Sequence, residues 1–378
     1  MQITLIDDPL SLWPRRAEWN ALAGCGATNT VFQTFEWSCS WWKTVGAGAQ
    51  SLLLLAEDAG QIVGIAPLML SERRILGRKR RVVEFIGTHA ADYCDFIVAP
   101  SQRPVVSALL GWLVERAERW DLLDLINIAE TSPLREALPR LFGERGYITD
   151  LQRLYECPTR VFGERAADLQ ASGKTSIRRH LNHLRKLGKV EFAVHTGTAQ
   201  IQSRLDAFFQ QHIDRWEGTS TPSFFRDGRQ RAFYRELVAS LAPRHAVLLS
   251  VLSVGQEAVS FHFGFNDGGR LYLIKPAFAP AYRRYAPGLL QIKFLFEHAM
   301  ELGVREMDFT TGEEPYKYRF ANHARVNYAV RVHRLAMFDR VGRALRYAKA
   351  MARRSPQLAR LGRRVKPLLG PTLQRLGL

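Results

Sequence analysis

Residues 270–290 read RLYLIKPAFAPAYRRYAPGLL, and residues 307–320 read MDFTTGEEPYKYRF. RLYLIKPAF has the length and composition of a strand. It runs into a short polar loop, AYRRYAPG, and then directly into a helix predicted over 288–302. Pro287 suits an early helical position, where its missing N–H costs nothing, and Gly288 lets the backbone approach a ligand closely. With Arg283 and Arg284, the unpaired N–H groups of such a helix start make a cradle for a pyrophosphate. An ordinary capped helix has the same pattern. The second stretch is a short strand ending in a turn that gathers Asp308, Glu313, Glu314, Tyr316, Lys317 and Arg319 among aromatic residues. Loops after the carboxyl ends of strands are where α/β proteins hold their chemistry.

Outward from this segment the chain repeats itself. Residues 52–70 and 247–265 each read as two apolar strands around a Gly-Gln pair, at 60–61 and 255–256. Helices predicted over 103–119 and 288–302 are each followed by an apolar–Asp–apolar strand, WDLLDLINI (120–128) and GVREMDFTTG (303–312). The repetition predicts a duplicated α/β (α+β) fold with two tandem units. The first covers 1–155. The second covers 156–335 and includes a basic linker helix at 168–189, and a basic amphipathic tail occupies 336–378. A helix over 199–216 precedes the polar loop EGTSTPS.

The chain has 378 residues, 47% of them hydrophobic, which suits a folded protein and leaves room for two domains. Its net charge of +17 (53 Lys and Arg against 36 Asp and Glu) is uneven, because residues 340–378 hold eleven Lys and Arg and no acid. In that tail Val341, Leu345, Ala348 and Ala352, then Leu358, Leu361, Val365 and Leu369, form apolar stripes at helical spacing. The combination predicts binding to an anionic membrane surface. Nucleic acid is the other polyanion that would attract such a tail, but only Tyr347 offers a stacking ring there.

Several familiar chemistries lack their signatures. SGKTS (172–176) resembles the end of a phosphate-binding loop, but the required first glycine is Asp168 and no strand leads into it. Neither a GxSxG elbow nor an HExxH pair occurs. Cys25, Cys39, Cys94 and Cys157 are scattered, which argues against a disulfide framework or a metal site and fits a reducing cytoplasm. RRILGRKRR (73–81) reads as a charged hairpin tip, with phosphate or nucleic-acid contact as its functional alternative. The acidic amino terminus carries no signal-peptide pattern, and no apolar run is long enough to span a bilayer.

Taken together, IRRHLNHLRKLG, HIDRW (212–216), AVSFHFGF, YRRYAPGLL and MDFTTGEEPYK resemble the GNAT-superfamily acetyltransferases of the cellulose-biosynthesis (CelD-like) group. That group is similar in turn to the FemAB-type aminoacyl transferases, which contain two GNAT-like units. The likeness is close over roughly 150–325 and looser through FQTFEWSCSWW (32–42), GTHAADYCDFIV (87–98) and WDLLDL. It implies two GNAT-like units, each a mixed twisted sheet flanked by helices. It also implies transfer of an acyl group from acyl-CoA, a co-substrate and not a resident cofactor, to a primary amine. The superfamily splays two adjacent strands to admit the acyl-CoA, which here maps to Ala258–Phe265 and Leu271–Phe278. Arg283, Arg284, Tyr285, Pro287 and Gly288 then meet the pyrophosphate, and no metal takes part. The usual Q/R-x-x-G-x-G/A signature is present only as RRYAPG, a degeneracy shared with the aminoacyl-tRNA users.

In such a reaction a neutral amine attacks the thioester directly, so the enzyme positions, moves protons and stabilises an oxyanion. His262, in an apolar strand, and Glu314 are the candidate bases; a core histidine is the alternative reading of His262. Asp308 competes as a base but better suits a loop-fixing role. Tyr316 is the candidate acid for the departing thiolate, Lys317 the charge for an oxyanion or phosphate, and Tyr285 a second acid. His212, Arg215 and Trp216 line the acceptor cleft or form an ordinary packed helix end. The membrane-binding tail suggests an acceptor in the cell envelope, an amino sugar of an exopolysaccharide or an amino lipid such as a sphingoid base. It would place the protein in the cytoplasm, peripheral at the inner face of the membrane. An aminoacyl-tRNA-dependent transferase and a non-catalytic scaffold of envelope synthesis are the competing readings.

Overall fold

The computed structural model describes residues 1–75, 77–241 and 246–334. The predicted tail at 336–378 lies outside the described residues. The chain divides into two compact units. One is built from Met1–Asn29, Gly48–Leu154 and the chain from Tyr328; the other from Thr30–Ala47 and Tyr155–Asn327.

In the first unit, Leu53–Asp58 and Gln61–Ala66 form the antiparallel hairpin expected around Gly60-Gln61, flanked by Gln2–Ile6 and Ile97–Val98. Ala59 and Gly60 both take positive φ at the turn, 49° and 79°. The second apolar run does not continue as one strand. Pro67, which has no N–H to give a ladder, separates Gln61–Ala66 from Leu68–Ile75. Leu68–Ile75 then pairs with Arg78–Phe85, so RRILGRKRR is the end of a charged hairpin. Its cations meet Glu72, Glu84, Asp121 and Asp124. Helix Arg103–Glu115 follows, shorter than predicted and ended by a single 3-10 turn, Ala117–Arg119. Strand Leu122–Ala129 then runs parallel to Arg78–Phe85.

The second unit repeats this plan. Strands Val190–His195, Ala246–Val254, Glu257–Asp267 and Arg270–Phe278 follow one another antiparallel; helix Pro287–Glu301 comes next, and strand Glu306–Asp308 returns parallel to Arg270–Phe278. The end of strand Ile148–Val161 completes the order. The first unit thus holds a four-stranded antiparallel sheet beside strands of a mixed one and the second a mixed sheet, both flanked by helices, and the fold is α/β as the sequence predicts.

One sheet face of the second unit is aromatic. Phe208, on helix Leu205–Arg215, stacks on Phe263 at 6.1 Å, and Tyr234 of helix Gly228–Leu241 meets the same ring edge-on at 4.9 Å. Helix Phe35–Thr44, far away in sequence, packs with these elements: Trp37 meets Phe233 at 5.3 Å and Phe265 at 5.9 Å. Around helix Pro287–Glu301 the core mixes aliphatic residues, Leu248, Leu252, Leu271, Leu273, Leu290 and Leu295, with the buried rings of Phe296, Phe309 and Phe320.

Two predicted helices are broken. The basic segment forms Arg165–Ser172 and Thr175–Arg185, with the Gly173 N–H closing the first on the Leu169 carbonyl at 2.9 Å. Residues 199–216 form Thr198–Gln202 and Leu205–Arg215. A buried ion pair, Asp168 accepting from Arg160 at 2.6 and 2.9 Å, ties the first basic helix to the sheet. SGKTS sits between two helices and not after a strand, so its likeness to a phosphate-binding loop ends there.

The position of the strand divergence differs from the mapping implied by the family resemblance. Glu257–Asp267 and Arg270–Phe278 stay paired from Asp267↔Arg270 to Ser260↔Phe278, with one bulge at Phe263/Gly264, so they do not splay. The divergence falls between Arg270–Phe278 and Glu306–Asp308, which share only three rungs, Arg270↔Glu306 to Tyr272↔Asp308. The shorter strand ends there because Thr310 takes a left-handed backbone (φ 56°). Its N–H donates to the Asp308 carboxylate at 2.7 Å and its hydroxyl to the Leu273 carbonyl at 3.0 Å. Asp308 thus fixes the loop.

The bulge requires its glycine. A Cβ at Gly264 would lie 2.3 Å from the Tyr272 carbonyl oxygen and 2.7 Å from the His262 ring. Backbone cannot yield as a side-chain tip does, so Gly264→Ala is expected to destabilise the protein by about 2–4 kcal/mol. Urea unfolding would measure it as a lower midpoint at unchanged slope.

Candidate functional site

A cavity of about 190 Å³ opens at the start of helix Pro287–Glu301. Pro276, Phe278 and Ile292 form its apolar wall, the loop from Arg283 to Gly288 its rim, and Arg215 and Tyr316 reach it from other parts of the chain. The rim is set by a local conformation. Residues 280–285 form a 3-10 turn, Ala286 turns left-handed (φ 52°, ψ 51°), and Pro287 begins the helix. With no i−4 carbonyl for the first helical N–H groups, the helix start presents Gly288 towards solvent or a ligand. A Cβ on Gly288 would meet the protein only at the Phe278 ring, 3.6 Å away, an ordinary contact. The fold tolerates a side chain here; the open space belongs to the cavity.

Of the predicted phosphate-binding residues, Arg283, Pro287 and Gly288 line the cavity. Arg283 leans over the Phe278 ring at 6.0 Å. Arg284 instead lies over Tyr285, 4.7 Å from its centroid, and is exposed. Tyr285 packs beside Tyr282, whose hydroxyl donates to Glu257 at 2.7 Å.

Arg215 is the residue whose placement matters most. It closes helix Leu205–Arg215, donates to the Pro276 carbonyl at 2.6 Å, and stacks over Phe278 at 4.6 Å and Trp216 at 5.2 Å. Burial lowers its guanidinium pKa from the usual value, Tyr316 and Glu314 oppose that, and Arg283 adds to it. A guanidinium stays charged under such a shift. The site therefore holds a fixed, partly desolvated positive charge against an apolar wall.

Tyr316 is half-buried, and desolvation with the Glu314 charge pushes its hydroxyl up to about 12, so it keeps its proton. Glu314 is more than half exposed and pairs with Lys317 at 3.0 Å. Lys317 is buried and has its donors taken: its ammonium bonds the Thr311 carbonyl at 2.7 Å and the Thr310 carbonyl at 3.4 Å. Its position suits holding the loop that carries Glu314 and Tyr316.

The histidines are both neutral at physiological pH. His262 is 1% exposed, burial alone takes it down to about 3, and neither ring nitrogen finds a hydrogen-bond partner among the described residues. It stands opposite Pro276 in the ladder, one strand behind the cavity wall. His212 also falls to about 3, through burial and then the charges of Lys275 and Arg215. Its Nδ1 is 2.8 Å from the Ser223 hydroxyl. Trp216 caps the same helix, and its buried indole N–H has no hydrogen bond among the described residues.

Sequence reading did not single out Pro276, Phe278 or Ile292 as lining. Only the strand alternation of RLYLIKPAF, which puts residues 276 and 278 on one face, carried that information. Among the described residues no cluster of His, Cys, Asp and Glu could hold a metal, and the cysteines carry free thiols.

Residues 171–318, which contain the whole cavity rim, match the acetyltransferase (GNAT) domain family. No curated protein matches the sequence significantly. Among solved structures, that of FemX superposes with a TM-score of 0.57 at 11% identity, covering 87% of this chain and 97% of that one. The C-terminal domain of a putative lysylphosphatidylglycerol synthetase from Agrobacterium fabrum gives 0.54 at 12%, covering 88% and 94%. L-PGS from Bacillus licheniformis gives 0.51 at 12%, covering 87% and 94%. At such identities the likeness is one of fold.

Proposed function

We propose, for a chain that carries a GNAT acetyltransferase domain and is an acyltransferase, that it moves an acyl group from acyl-CoA to a primary amine of a cell-envelope precursor. The acceptor is an amino sugar of an exopolysaccharide or an amino lipid. Within the GNAT enzymes the motif set points to the cellulose-biosynthesis (CelD-like) group. The observation that carries this reading is the cavity at the start of helix Pro287–Glu301, where Arg215 and Arg283 stand beside an apolar wall of Pro276, Phe278 and Ile292. A thioester donor has that chemistry, with phosphates at one end and an apolar arm at the other.

In the proposed reaction the acceptor nitrogen attacks the thioester carbonyl. A tetrahedral oxyanion forms, the C–S bond breaks, and the sulfur leaves as a thiolate that takes a proton. Tyr316, which keeps its proton, supplies it. The nitrogen gives up its own proton to Glu314, the carboxylate on the same loop whose charge acts on Tyr316. Arg215 offers the charge that steadies the oxyanion. Lys317 and Asp308 hold the loop, and His262 supports the wall behind Pro276. Because attack is direct, none of the four thiols is needed as a nucleophile.

A FemAB-like transfer from aminoacyl-tRNA is the second reading, favoured by the degenerate RRYAPG rim. The two separate in one assay. Purified protein is given acetyl-CoA or longer acyl-CoAs with amino-sugar and sphingoid-base acceptors, and free thiol is followed. Acceptor-dependent thiol release is expected. Its absence, with turnover of charged tRNA instead, would replace the first reading by the second.

A further inference from the structure

Helices Arg165–Ser172 and Thr175–Arg185 play no part in the chemistry above, yet the segment they form is strongly basic. From Arg165 to Lys189 the sequence holds seven Lys and Arg and one acid, Asp168. That acid is buried against Arg160, so the exposed surface of the segment is purely cationic. Ile177, Leu181 and Leu184 bury one side of the second helix in the core. Arg178, Arg179, Arg185 and Lys186 are exposed on the other, within about a third of the helical circumference at 100° per residue. The helix packs against the 3-10 turn Pro280–Tyr285, so the exposed Arg283 and Arg284 carry the same surface to the cavity rim.

The charges are accompanied by exposed leucines. Leu169, on the first basic helix, is 45% exposed, and Leu187, just past the second, is 49% exposed. Phosphates of a nucleic acid gain nothing from such side chains. The headgroup boundary of a bilayer accepts both leucines and cations.

We propose that the cationic face of helix Thr175–Arg185, formed by Arg178, Arg179, Arg185 and Lys186 with the exposed Leu187 just past its end, docks on an anionic lipid surface and brings the cavity rim to the membrane. The surface is separate from the tail at 340–378. It agrees with a membrane-borne acceptor, but its binding can be read without any turnover.

The test is co-sedimentation of the full-length protein with vesicles of phosphatidylcholine alone and of phosphatidylcholine with an equal part of phosphatidylglycerol. Three chains are compared: the native one, Arg178→Glu/Arg179→Glu/Arg185→Glu, and Leu187→Ser. The altered residues are exposed, and a thermal melt of each variant checks that it folds. Native protein is expected to sediment with the anionic vesicles only. Charge reversal is expected to weaken that binding by about a hundredfold or more, and Leu187→Ser to weaken it measurably. Undiminished binding of the charge-reversed chain would assign the membrane to another part of the protein and overturn the proposal. So would native protein that ignores the vesicles but binds uncharged tRNA, with reversal removing the tRNA and Leu187→Ser having no effect. Acyl-CoA turnover without vesicles reports on the proposed function alone.

Discussion

Gly288→Val is expected to abolish donor binding while leaving the protein folded. Position 288 lies in the first turn of helix Pro287–Glu301 and on the cavity rim. A Cβ there touches only the Phe278 ring at 3.6 Å, an ordinary contact, and the position has no left-handed backbone that a side chain would strain. The branched side chain would fill the space through which a pyrophosphate reaches the helix start. Donor affinity should fall by about a hundredfold or more, about 2.7 kcal/mol. An unchanged thermal midpoint with lost binding identifies the cavity as the donor site. Undiminished affinity would place the donor elsewhere. Gly264→Ala makes the contrast, because there the added carbon strikes a carbonyl oxygen and stability is what should fall.

The second large effect concerns Tyr316. Burial and the Glu314 charge keep its phenol protonated up to about pH 12, the state an acid for a departing thiolate needs. Tyr316→Phe removes the proton and little else. It should lower kcat by about 10²–10⁴-fold while donor affinity stays unchanged. The pH profile adds an independent reading. His262 and His212 are both held down to about 3, so each imidazole is already neutral throughout the physiological range. The rate should therefore show no step near 6.5 from these two groups. An acid limb there that His262→Gln removes would return the base role to His262. A Tyr316→Phe enzyme with normal kcat would remove the acid from the mechanism.

Much of the fold was legible because the apolar runs are bounded by turn residues. Gly60-Gln61 and Gly255-Gln256 sit at the tips of hairpins, and Pro287 begins the helix its position suggested. The rhythm of strand, helix and strand shared by the two halves corresponds to two units of one plan. Pro67 interrupts one copy, which a run of apolar residues alone conceals. Periodicity predicts which residues share a face but not where two strands part. The parting after Tyr272↔Asp308 depends on the left-handed turn at Thr310, a residue that seldom takes that conformation. The mapping implied by the family resemblance puts the parting one strand pair away, between Glu257–Asp267 and Arg270–Phe278.

The site was legible in its contiguous part and not in its assembled part. Arg283, Pro287 and Gly288 adjoin one another in sequence, and Tyr316 follows one helix later. Arg215 comes to the same cavity from the end of a separate helix and is fixed by its bond to the Pro276 carbonyl. No spacing announces that meeting. Charge in sequence also does not reveal how a side chain is occupied. Lys317 has the composition of an oxyanion partner, yet its ammonium bonds Thr310, Thr311 and Glu314. Helix Phe35–Thr44 packs with the second unit through Trp37, a placement set by aromatic contacts across the chain and not by its neighbours in sequence.

The cavity beside Arg215, Arg283 and Gly288 is expected to receive an acyl-CoA. Calorimetric titration of the purified protein with acetyl-CoA and a series of longer acyl-CoAs tests it most directly, with uncharged tRNA as a control. One-to-one binding of an acyl-CoA is expected, weakened by Arg283→Ala and lost in Gly288→Val, and the chain length bound most tightly would distinguish a sugar from a lipid route. Native protein that takes up no acyl-CoA of any length would contradict the account.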